Sequence, residues 1–249
     1  MCGRYTLATP SPADVRARFA VGDTIEIRKR YNVAPGDDVL AVTSDRDGKP
    51  RGELLRWGLL PAWAQRPETG LKMINARVET AAQRPAFRRA FERFRCLILA
   101  DGFYEWQSMP AGGNQPNQPT QPKQPKQPKQ PKQPFHITRA GNAPFAFAGL
   151  WSSWRGEDGS ELRSCAILTT VANSTLSPLH DRMPVILAPE AEAPWLEPQT
   201  PSELLYEILA GLTPEQTRVR PVSNAVNDAR YDGPECLAPP AQSGQAALF

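Results

Sequence analysis

The sequence predicts an α+β fold, with a mixed or antiparallel, barrel-like β-sheet core and peripheral helices. Short segments rich in apolar and β-branched residues recur along the chain, for example at 39–43, 96–100 and 164–171, and such segments are typical of buried strands. Apolar residues at helical spacing occur in only a few places. A chain of 249 residues is long enough for one sizeable core, and we predict a single domain over residues 2–232.

The first half of the chain carries two helix signals among its strand signals. Ser11 is a typical N-cap and Pro12 a typical first helical residue, and they predict a helix over 13–20. Three phenylalanines at helical spacing, with arginines opposite, predict a second helix over 85–94. The other elements expected here are a turn at 31–36, strands at 39–43, 53–58 and 96–100 (the last running on into 103–106), and a loop at 59–63.

Residues 74–80 alternate between apolar and polar side chains. If this segment is extended, Asn75, Arg77 and Glu79 lie on one face, because successive strand side chains point to opposite faces.

The second half of the chain is predicted to be mostly strands with two helices. Ser202 is the expected N-cap of the second of these helices. The predicted strands are 135–138, 144–150, 164–171, 185–187 and 218–222, and the predicted helices are 191–196 and 203–212.

Two segments have compositions that do not favour a packed core. Within an insertion at 110–134, proline recurs at every third position with Gln and Lys between, which favours a polyproline II spacer inside an expanded hairpin loop. The segment 233–249 is rich in Ala, Pro, Gln and Gly and is expected to be a disordered tail.

Charge and cysteine content exclude several classes of protein. The net charge is +3, but four lysines belong to the insertion, and without them 25 basic residues face 26 acidic ones, so any phosphate-binding surface must be a local cluster. The four cysteines are scattered without a C-x-x-C pair, which argues against a zinc site or a disulfide framework. No signal peptide or long apolar run is present. We expect a cytoplasmic monomer without metal, cofactor or membrane contact.

Cys2 is the residue around which a chemical function is most easily built. Its small side chain permits removal of Met1, which leaves an α-amine (pKa ~7.7–8.0) beside a thiol (pKa ~8.5), both partly nucleophilic at neutral pH. Such a 1,2-aminothiol condenses with an aldehyde to form a five-membered thiazolidine. Two other interpretations remain open: Cys2 as a small buried hydrophobe, and Cys2 as an N-terminal nucleophile like that of the glutamine amidotransferases, which also begin Met-Cys-Gly.

Several polar residues could act with such a nucleophile. Glu105 lies among aromatic residues, where loss of solvation raises a carboxyl pKa and suits it to acid–base work. His180 lies in a loop and can exchange protons near neutral pH. The Asn75 amide could orient a substrate hydroxyl, and Arg77 and Arg4 could bind phosphates. Each of them alone is equally consistent with an ordinary structural role.

Six segments, in this order along the chain, resemble the SOS response-associated peptidase (SRAP) family of abasic-site-processing proteins. They are Met-Cys-Gly-Arg-Tyr at the N-terminus, Arg-Tyr-Asn-Val-Ala-Pro-Gly at 30–36, Ile-Asn-Ala-Arg-Val-Glu-Thr at 74–80, Ala-Asp-Gly-Phe-Tyr-Glu-Trp at 100–106, Leu-His-Asp-Arg-Met-Pro at 179–184 and Pro-Val-Ser at 221–223. The resemblance covers roughly residues 2–230, and the insertion is the main departure from it.

The resemblance implies a sensor that traps abasic sites in single-stranded DNA through a thiazolidine at Cys2. It implies that Asn75, Glu105 and His180 complete the active site and that the protein associates with the nucleoid when bound to DNA. The DNA-binding residues implied are Arg4, Arg77, Pro35, Trp63 and Trp106. The family name also implies a peptidase activity, and a lyase activity is possible. The alternatives are a glutamine amidotransferase-like hydrolase and a non-catalytic single-strand-binding module.

Overall fold

In the computed structural model, the described residues are 2–9, 11–19, 21–45, 47–108 and 132–241. The strands are β1 Tyr5–Leu7, β2 Arg30–Val33, β3 Asp38–Ser44, β4 Pro50–Trp57, β5 Asn75–Arg77, β6 Arg95–Ala100, β7 Gly102–Ser108, β8 Lys132–Arg139, β9 Phe145–Arg155, β10 Glu161–Val171, β11 Arg182–Pro184 and β12 Thr217–Pro221. The helices are α1 Pro12–Phe19, α2 Val78–Ala81, α3 Arg88–Arg93, α4 Pro189–Leu196 and α5 Ser202–Ile208.

Five strands close into a barrel in the order β10, β4, β3, β6, β9 and back to β10. The pairing of β10 with β4 is parallel, and the other four pairings are antiparallel. The short strands β5 and β11 also pair with β10, β5 in parallel and β11 in antiparallel orientation. The mixed, barrel-like α+β core that the sequence predicts is thereby confirmed.

A second sheet, in the order β12-β8-β7-β1-β2, is antiparallel throughout. The chain passes from the barrel into this sheet at Asp101, between β6 and β7. The continuous apolar run of the sequence is therefore two strands that belong to different sheets. Because β1 is paired on both sides, with β7 and with β2, the second sheet fixes the chain immediately after Cys2.

Alternation along the barrel strands divides the apolar residues into two cores. One set packs with Tyr5 and Phe103 of the second sheet; it includes Val39, Ala41, Trp57, Cys96, Ile98, Phe145, Phe147, Cys165 and Ile167. The other set packs against the helices and includes Leu40, Val42, Leu97, Leu99, Ala146, Ala148, Leu150, Ala166 and Leu168. Cys2 belongs to the first set and is 0 % exposed. The chain start therefore lies against the core that joins barrel and sheet.

Several predicted elements have different limits in the structure. The turn expected at 31–36 is a strand up to Val33, and only Ala34 to Asp37 form a turn, with Gly36 at φ 95° as the third residue of a type II turn requires. Helix α3 is shorter than the predicted 85–94 because residues 84–87 form a turn, closed by the Phe87 amide on the Arg84 carbonyl at 2.9 Å.

Two further corrections concern the second half. The strand expected at 185–187 is displaced: β11 precedes it, and Ile186 makes only an isolated bridge to Phe147. Ser202 is the first residue of α5, after a cap at Pro201.

The domain extends beyond the predicted boundary at residue 232. Residues 234–237 form a 3-10 helix with Cys236 buried, and the Ser223 amide donates to the Ala238 carbonyl at 2.8 Å. Asp232 explains this packing, because its carboxylate accepts the amides of Tyr31 and Asn32 at 2.6 and 2.7 Å and so caps the outer edge of β2. A tail starting at 233 is thus wrong for 233–241, and 242–249 lie outside the described residues.

The Gln-Pro-Lys insertion falls largely outside the described residues, at 109–131. Its predicted last residues, up to Pro134, belong instead to β8, which pairs with β7 from Ser108↔Lys132 onwards. The insertion therefore connects two paired antiparallel strands, at the position predicted for an expanded hairpin loop.

Candidate active site

Cys2 is buried, and its backbone carbonyl is held by a hydrogen bond. Asn75 Nδ2 donates to the Cys2 carbonyl at 2.8 Å, and the Cys2 thiol faces the Arg4 carbonyl at 3.7 Å. Asn75 is itself fixed by pairing of β5 with β10, opposite Ile167. The Asn75 Oδ1 atom is buried and accepts no hydrogen bond from the described residues. An acceptor is therefore available directly beside the nucleophile.

Glu105 supplies a buried carboxyl to the same region. It lies on β7, two residues after Phe103, and is only 5 % exposed. Burial raises the pKa of Glu105, while the positive charges of the chain's α-amino group and of His180 act in the opposite direction. The carboxyl therefore keeps its proton to a higher pH than an exposed glutamate does, as the aromatic neighbours in the sequence predict.

The thiol of Cys2 is less acidic than the sequence suggests. Burial raises its pKa far above the ordinary value, and the negative charge of Glu105 raises it further. The expectation of a partly ionised thiol at neutral pH is therefore wrong for this environment. A thiol that stays protonated needs a base when it attacks, and Glu105 is the carboxylate that interacts with it.

His180 lies in the turn before β11, half-buried. Its amide donates to the Leu176 carbonyl at 3.0 Å, and its Nδ1 lies 3.0 Å from the Arg182 amide nitrogen and 2.7 Å from Asp181 Oδ1. Neutral Nδ1 accepts from Arg182, whereas protonated Nδ1 donates to Asp181. The Nδ1 atom thus has two neighbouring partners, which fix the orientation of the ring.

Arg182 connects this turn to the segment that carries Asn75. Its guanidinium binds Glu79 through two nitrogens, at 2.6 and 2.9 Å, and donates to the Thr169 carbonyl at 2.5 Å. The hydrogen bonds from Arg182 lower the pKa of Glu79. The prediction that Asn75, Arg77 and Glu79 share one face of a strand is wrong for Glu79, because the strand ends at Arg77 and α2 begins at Val78. Arg77 is exposed.

Arg4 is held by the C-terminal part of the chain. Its Nη1 donates to Asn32 Oδ1 and to the Val226 carbonyl, both at 2.9 Å. Burial lowers its pKa, against the opposing effect of Asp37. At least one guanidinium nitrogen of Arg4 therefore already donates hydrogen bonds within the protein. A role of Arg4 in binding phosphate stays a prediction.

The three predicted DNA wedge and stacking residues lie at separate places in the fold. Pro35 is half-buried in the turn after β2. Trp63 is 66 % exposed in the loop after β4. Trp106, at the end of β7, donates from Nε1 to Asn227 Oδ1 at 2.7 Å. Backbone and electrostatic contacts thus join Cys2, Asn75, Glu105 and His180, while the roles of these other residues stay predictions.

A buried polar network on the opposite face of the second sheet was not predicted from the sequence. Thr6 Oγ1 donates to Asp101 Oδ1 at 2.5 Å and lies 3.1 Å from His136 Nε2. Asp101 also accepts the amides of Ala8 and Thr9, at 3.0 and 2.5 Å. The network secures β1 just after Cys2. The one sequence signal for it was Gly102 within a strand pattern.

The described residues were compared with two further kinds of site, a metal centre and a membrane-spanning helix. Among residues 2–108 and 132–241, apart from the single gaps at 10, 20 and 46, no cluster of three or more His, Cys, Asp or Glu residues is arranged to hold a metal ion. No helix in this described part is long and apolar enough to cross a membrane.

Comparison with known proteins identifies the family. The profile of the SOS response associated peptidase (SRAP) family matches residues 1–229. The abasic site processing protein YoaM of Bacillus subtilis is 37 % identical over 241 residues, which cover 95 % of this chain and 97 % of that protein. YedK of Escherichia coli, also named an abasic site processing protein, is 35 % identical, with 84 % of each chain covered. HMCES of Xenopus tropicalis, of the same designation, is 31 % identical over 96 % of this chain and 78 % of its own length.

Solved structures agree with the sequence comparison. A Bacteroides thetaiotaomicron protein superimposes with a TM-score of 0.75 at 22 % identity, covering 96 % of this chain and 99 % of that one, and shows the same fold. A phage-related protein of Bordetella bronchiseptica reaches a TM-score of 0.69 at 30 % identity, over 93 % and 99 % of the two chains. The chain therefore belongs to the SOS response associated peptidase (SRAP) family.

Proposed function

We propose that the mature chain traps abasic sites in single-stranded DNA by forming a thiazolidine at Cys2. The observation that carries this proposal is the position of Cys2, which is buried, bound through its carbonyl to Asn75 Nδ2 at 2.8 Å and in electrostatic contact with Glu105. A 1,2-aminothiol held beside a buried carboxyl matches the chemistry of an aldehyde substrate, and the open form of an abasic deoxyribose is an aldehyde.

The reaction proceeds in two bond-forming steps once Met1 is removed. The α-amine of Cys2 attacks the aldehyde carbon, and the resulting carbinolamine loses its hydroxyl as water to give an iminium ion. The thiol then adds to the same carbon and gives up its proton, which closes the five-membered ring. Aldehyde and aminothiol thus yield thiazolidine and one water, without any oxidant or reductant.

Glu105 serves both proton transfers. Burial raises the pKa of Glu105, which favours the protonated carboxyl to a higher pH than in an exposed glutamate, and in that form it can protonate the departing hydroxyl as a general acid. The carboxylate that results can accept the proton of the Cys2 thiol, whose own pKa is raised by burial. The same group can donate a proton to the ring oxygen when the sugar opens.

Asn75 and His180 orient the sugar. The buried Oδ1 of Asn75 is the acceptor for a sugar hydroxyl or for the Cys2 amine. His180 binds the hydroxyl that ring opening creates, and its two partners at Nδ1 keep the ring in place.

Single-stranded DNA is the proposed substrate, since the sugar is then accessible without extrusion from a duplex. Arg4 and Arg77 contact the backbone, and Pro35, Trp63 and Trp106 stack on or separate the flanking bases. We infer that a monomer acts on each lesion, in the cytoplasm at the nucleoid.

Removal of Met1 is the step through which a peptidase activity would enter. The charge of the chain's α-amino group lowers the pKa values of both Cys2 and Glu105, against the larger effect of burial, so self-cleavage of the first peptide bond is the form of proteolysis that this site favours. Whatever removes Met1, a chain that retains it has no 1,2-aminothiol.

The test is covalent capture of a single-stranded oligonucleotide with one abasic site, followed on a denaturing gel. The untagged chain, with Met1 removal confirmed by mass, is expected to give a shifted band with abasic but not with undamaged DNA. Cys2→Ala is expected to give no band while still binding undamaged DNA without a covalent bond. Capture by Cys2→Ala equal to that of the wild type would refute the assignment.

A further inference from the structure

The end of the barrel that lies away from Cys2 opens into a cavity of about 470 Å³. All five barrel strands contribute to its lining, and the mouths of β-barrels are common positions for small-molecule sites. Arg163 of β10 is part of the lining, four residues before Ile167, which pairs with Asn75. At about 3.3 Å per residue, these two positions on β10 are roughly 13 Å apart. The cavity is therefore separate from the candidate active site.

Arginines from four different elements line this cavity, which we call the distal mouth. They are Arg51 in β4, Arg93 at the end of α3, Arg95 at the start of β6 and Arg163 in β10. The one acidic side chain in the described lining is Asp45, whose Oδ1 accepts the amides of Asp47 and Lys49 at 2.9 Å. The positive groups of the distal mouth therefore outnumber its carboxylates.

Arg163 is the one arginine of the distal mouth that has a carboxylate partner among the described residues, because it forms an ion pair with Glu53. Its guanidinium also lies 4.2 Å from the centre of the Trp151 ring. Trp151 in turn packs edge to face with Phe94, with ring centres 4.9 Å apart. Since these rings are already in contact with protein groups, the distal mouth suits the anionic groups of a ligand better than a stacked base.

Arg95 contributes a buried positive charge to the same cavity. It is 3 % exposed. Its guanidinium donates to four main-chain carbonyls, those of Phe91, Glu92, Trp195 and Glu197. Burial lowers the pKa of Arg95 to about 10, against the opposing effect of Glu197, and the like charge of Arg93 lowers it further. A buried charge without an opposite charge is costly, and an anion in the distal mouth would offset part of that cost.

The two other arginines, Arg51 and Arg93, are exposed. Neither forms an ion pair with a carboxylate in the part of the chain that the structure describes. A guanidinium can donate to two oxygens of one phosphate group at once. Two such groups beside a third, buried one are therefore suited to an anion that carries more than one phosphate.

We propose that the distal mouth binds a compact anion with at least two phosphate groups, of the size of inorganic pyrophosphate. Arg51 and Arg93 donate to its oxygens, and Arg95 supplies the buried positive charge. A cavity of about 470 Å³ accommodates an ion of this size. The proposal is independent of the trapping chemistry, because the two sites lie at different ends of the barrel.

The test is isothermal titration of the full chain with inorganic pyrophosphate at low ionic strength, in the absence of DNA. The unsubstituted chain is expected to bind one pyrophosphate per chain. Arg51→Ser with Arg93→Ser is expected to weaken this binding by about 100-fold, about tenfold for each guanidinium lost. Absence of saturable binding in the unsubstituted chain overturns the proposal, and so does unchanged affinity in the double variant.

The matched control is Arg66→Ser with Arg84→Ser, which removes the same charge from two exposed residues outside the lining. This control is expected to bind pyrophosphate as the unsubstituted chain does. A loss of affinity equal to that of the Arg51 and Arg93 variant would show a general effect of net charge and overturns the assignment to the distal mouth. Urea unfolding without pyrophosphate is expected to give the same midpoint for both variants, since all four residues are exposed.

Two further ligands identify the source of the phosphate groups. Inorganic phosphate, with one such group, is expected to bind at least about tenfold more weakly than pyrophosphate, and equal affinity overturns the assignment to a multiply phosphorylated anion. An undamaged single-stranded oligonucleotide is expected to leave pyrophosphate bound. Displacement by the oligonucleotide overturns the proposal and assigns the distal mouth to a nucleic-acid backbone.

Discussion

Replacing His136 with glutamine tests whether the buried network behind β1 depends on a neutral imidazole. His136 is 3 % exposed, and burial lowers its pKa from 6.5 to about 4, with Arg220 acting in the same direction and Asp101 in the opposite one. As the pH falls, the unfolded chain binds a proton at this histidine before the folded chain does. Stability is therefore present above the ordinary pKa and lost as the pH falls towards 4.

The size of the effect follows from these two pKa values. Between pH 7 and pH 5 the unfolded state gains about 2 kcal/mol from protonation of His136, while the folded state gains almost nothing. Urea unfolding of the wild type at the two pH values is expected to show this loss on top of the contributions of other groups. His136→Gln is expected to lose about 2 kcal/mol less between the same pH values, whatever its stability at pH 7.

The control is His180→Gln at the only other histidine of the chain, which leaves His136 in place and is expected to keep the wild-type loss. Equal losses in the wild type and His136→Gln would show that the buried ring is protonated in the folded state and would refute the reasoning.

Three further substitutions test the site and its support. Glu105→Gln is expected to slow single-turnover capture by about 10²-fold or more and to abolish the fall in rate as the pH rises through the raised pKa of this carboxyl; an unchanged pH–rate profile would remove Glu105 from proton transfer. Asn75→Asp places an oxygen instead of Nδ2 against the Cys2 carbonyl and is expected to reduce capture more than Asn75→Ala does, with the reverse order counting against orientation by the amide. Gly102→Ala introduces a Cβ 2.2 Å from a buried imidazole nitrogen and is expected to cost about 1–3 kcal/mol in urea unfolding, whereas Gly22→Ala, with nothing within 4 Å, serves as the neutral control.

The barrel could be predicted from the sequence because its strands are marked by local signals. Residues 96–100 and 164–171 are apolar and β-branched, and both form barrel strands. The closure of the barrel was not specified, since the parallel pairing of β10 with β4 joins segments far apart in sequence. Short elements also escaped prediction: β1 has only three residues, too few for a periodicity to appear.

The nucleophile Cys2 and its three candidate partners, Asn75, Glu105 and His180, were named from chemistry and family resemblance, and the structure adds how they are held. The position of Asn75 beside Cys2 is shown by one hydrogen bond to the Cys2 carbonyl. No pattern in either segment of the sequence could indicate that contact. Residues 233–241 were wrongly assigned to a tail because their composition is that of a disordered region. The packing of this segment depends on specific contacts, such as those of Asp232 with the amides of β2. Such contacts cannot be predicted from composition.

The central claim, a thiazolidine rather than a simple imine at Cys2, is tested most directly by counting thiols in the cross-linked complex. The chain has four free cysteines, Cys2, Cys96, Cys165 and Cys236. Alkylation under denaturing conditions, followed by intact mass spectrometry, is expected to add four labels to the free mature chain and three to the complex. The complex is also expected to weigh one water less than the mature chain and the abasic oligonucleotide together. Four labels on the complex, or an adduct that retains Met1, would contradict the mechanism.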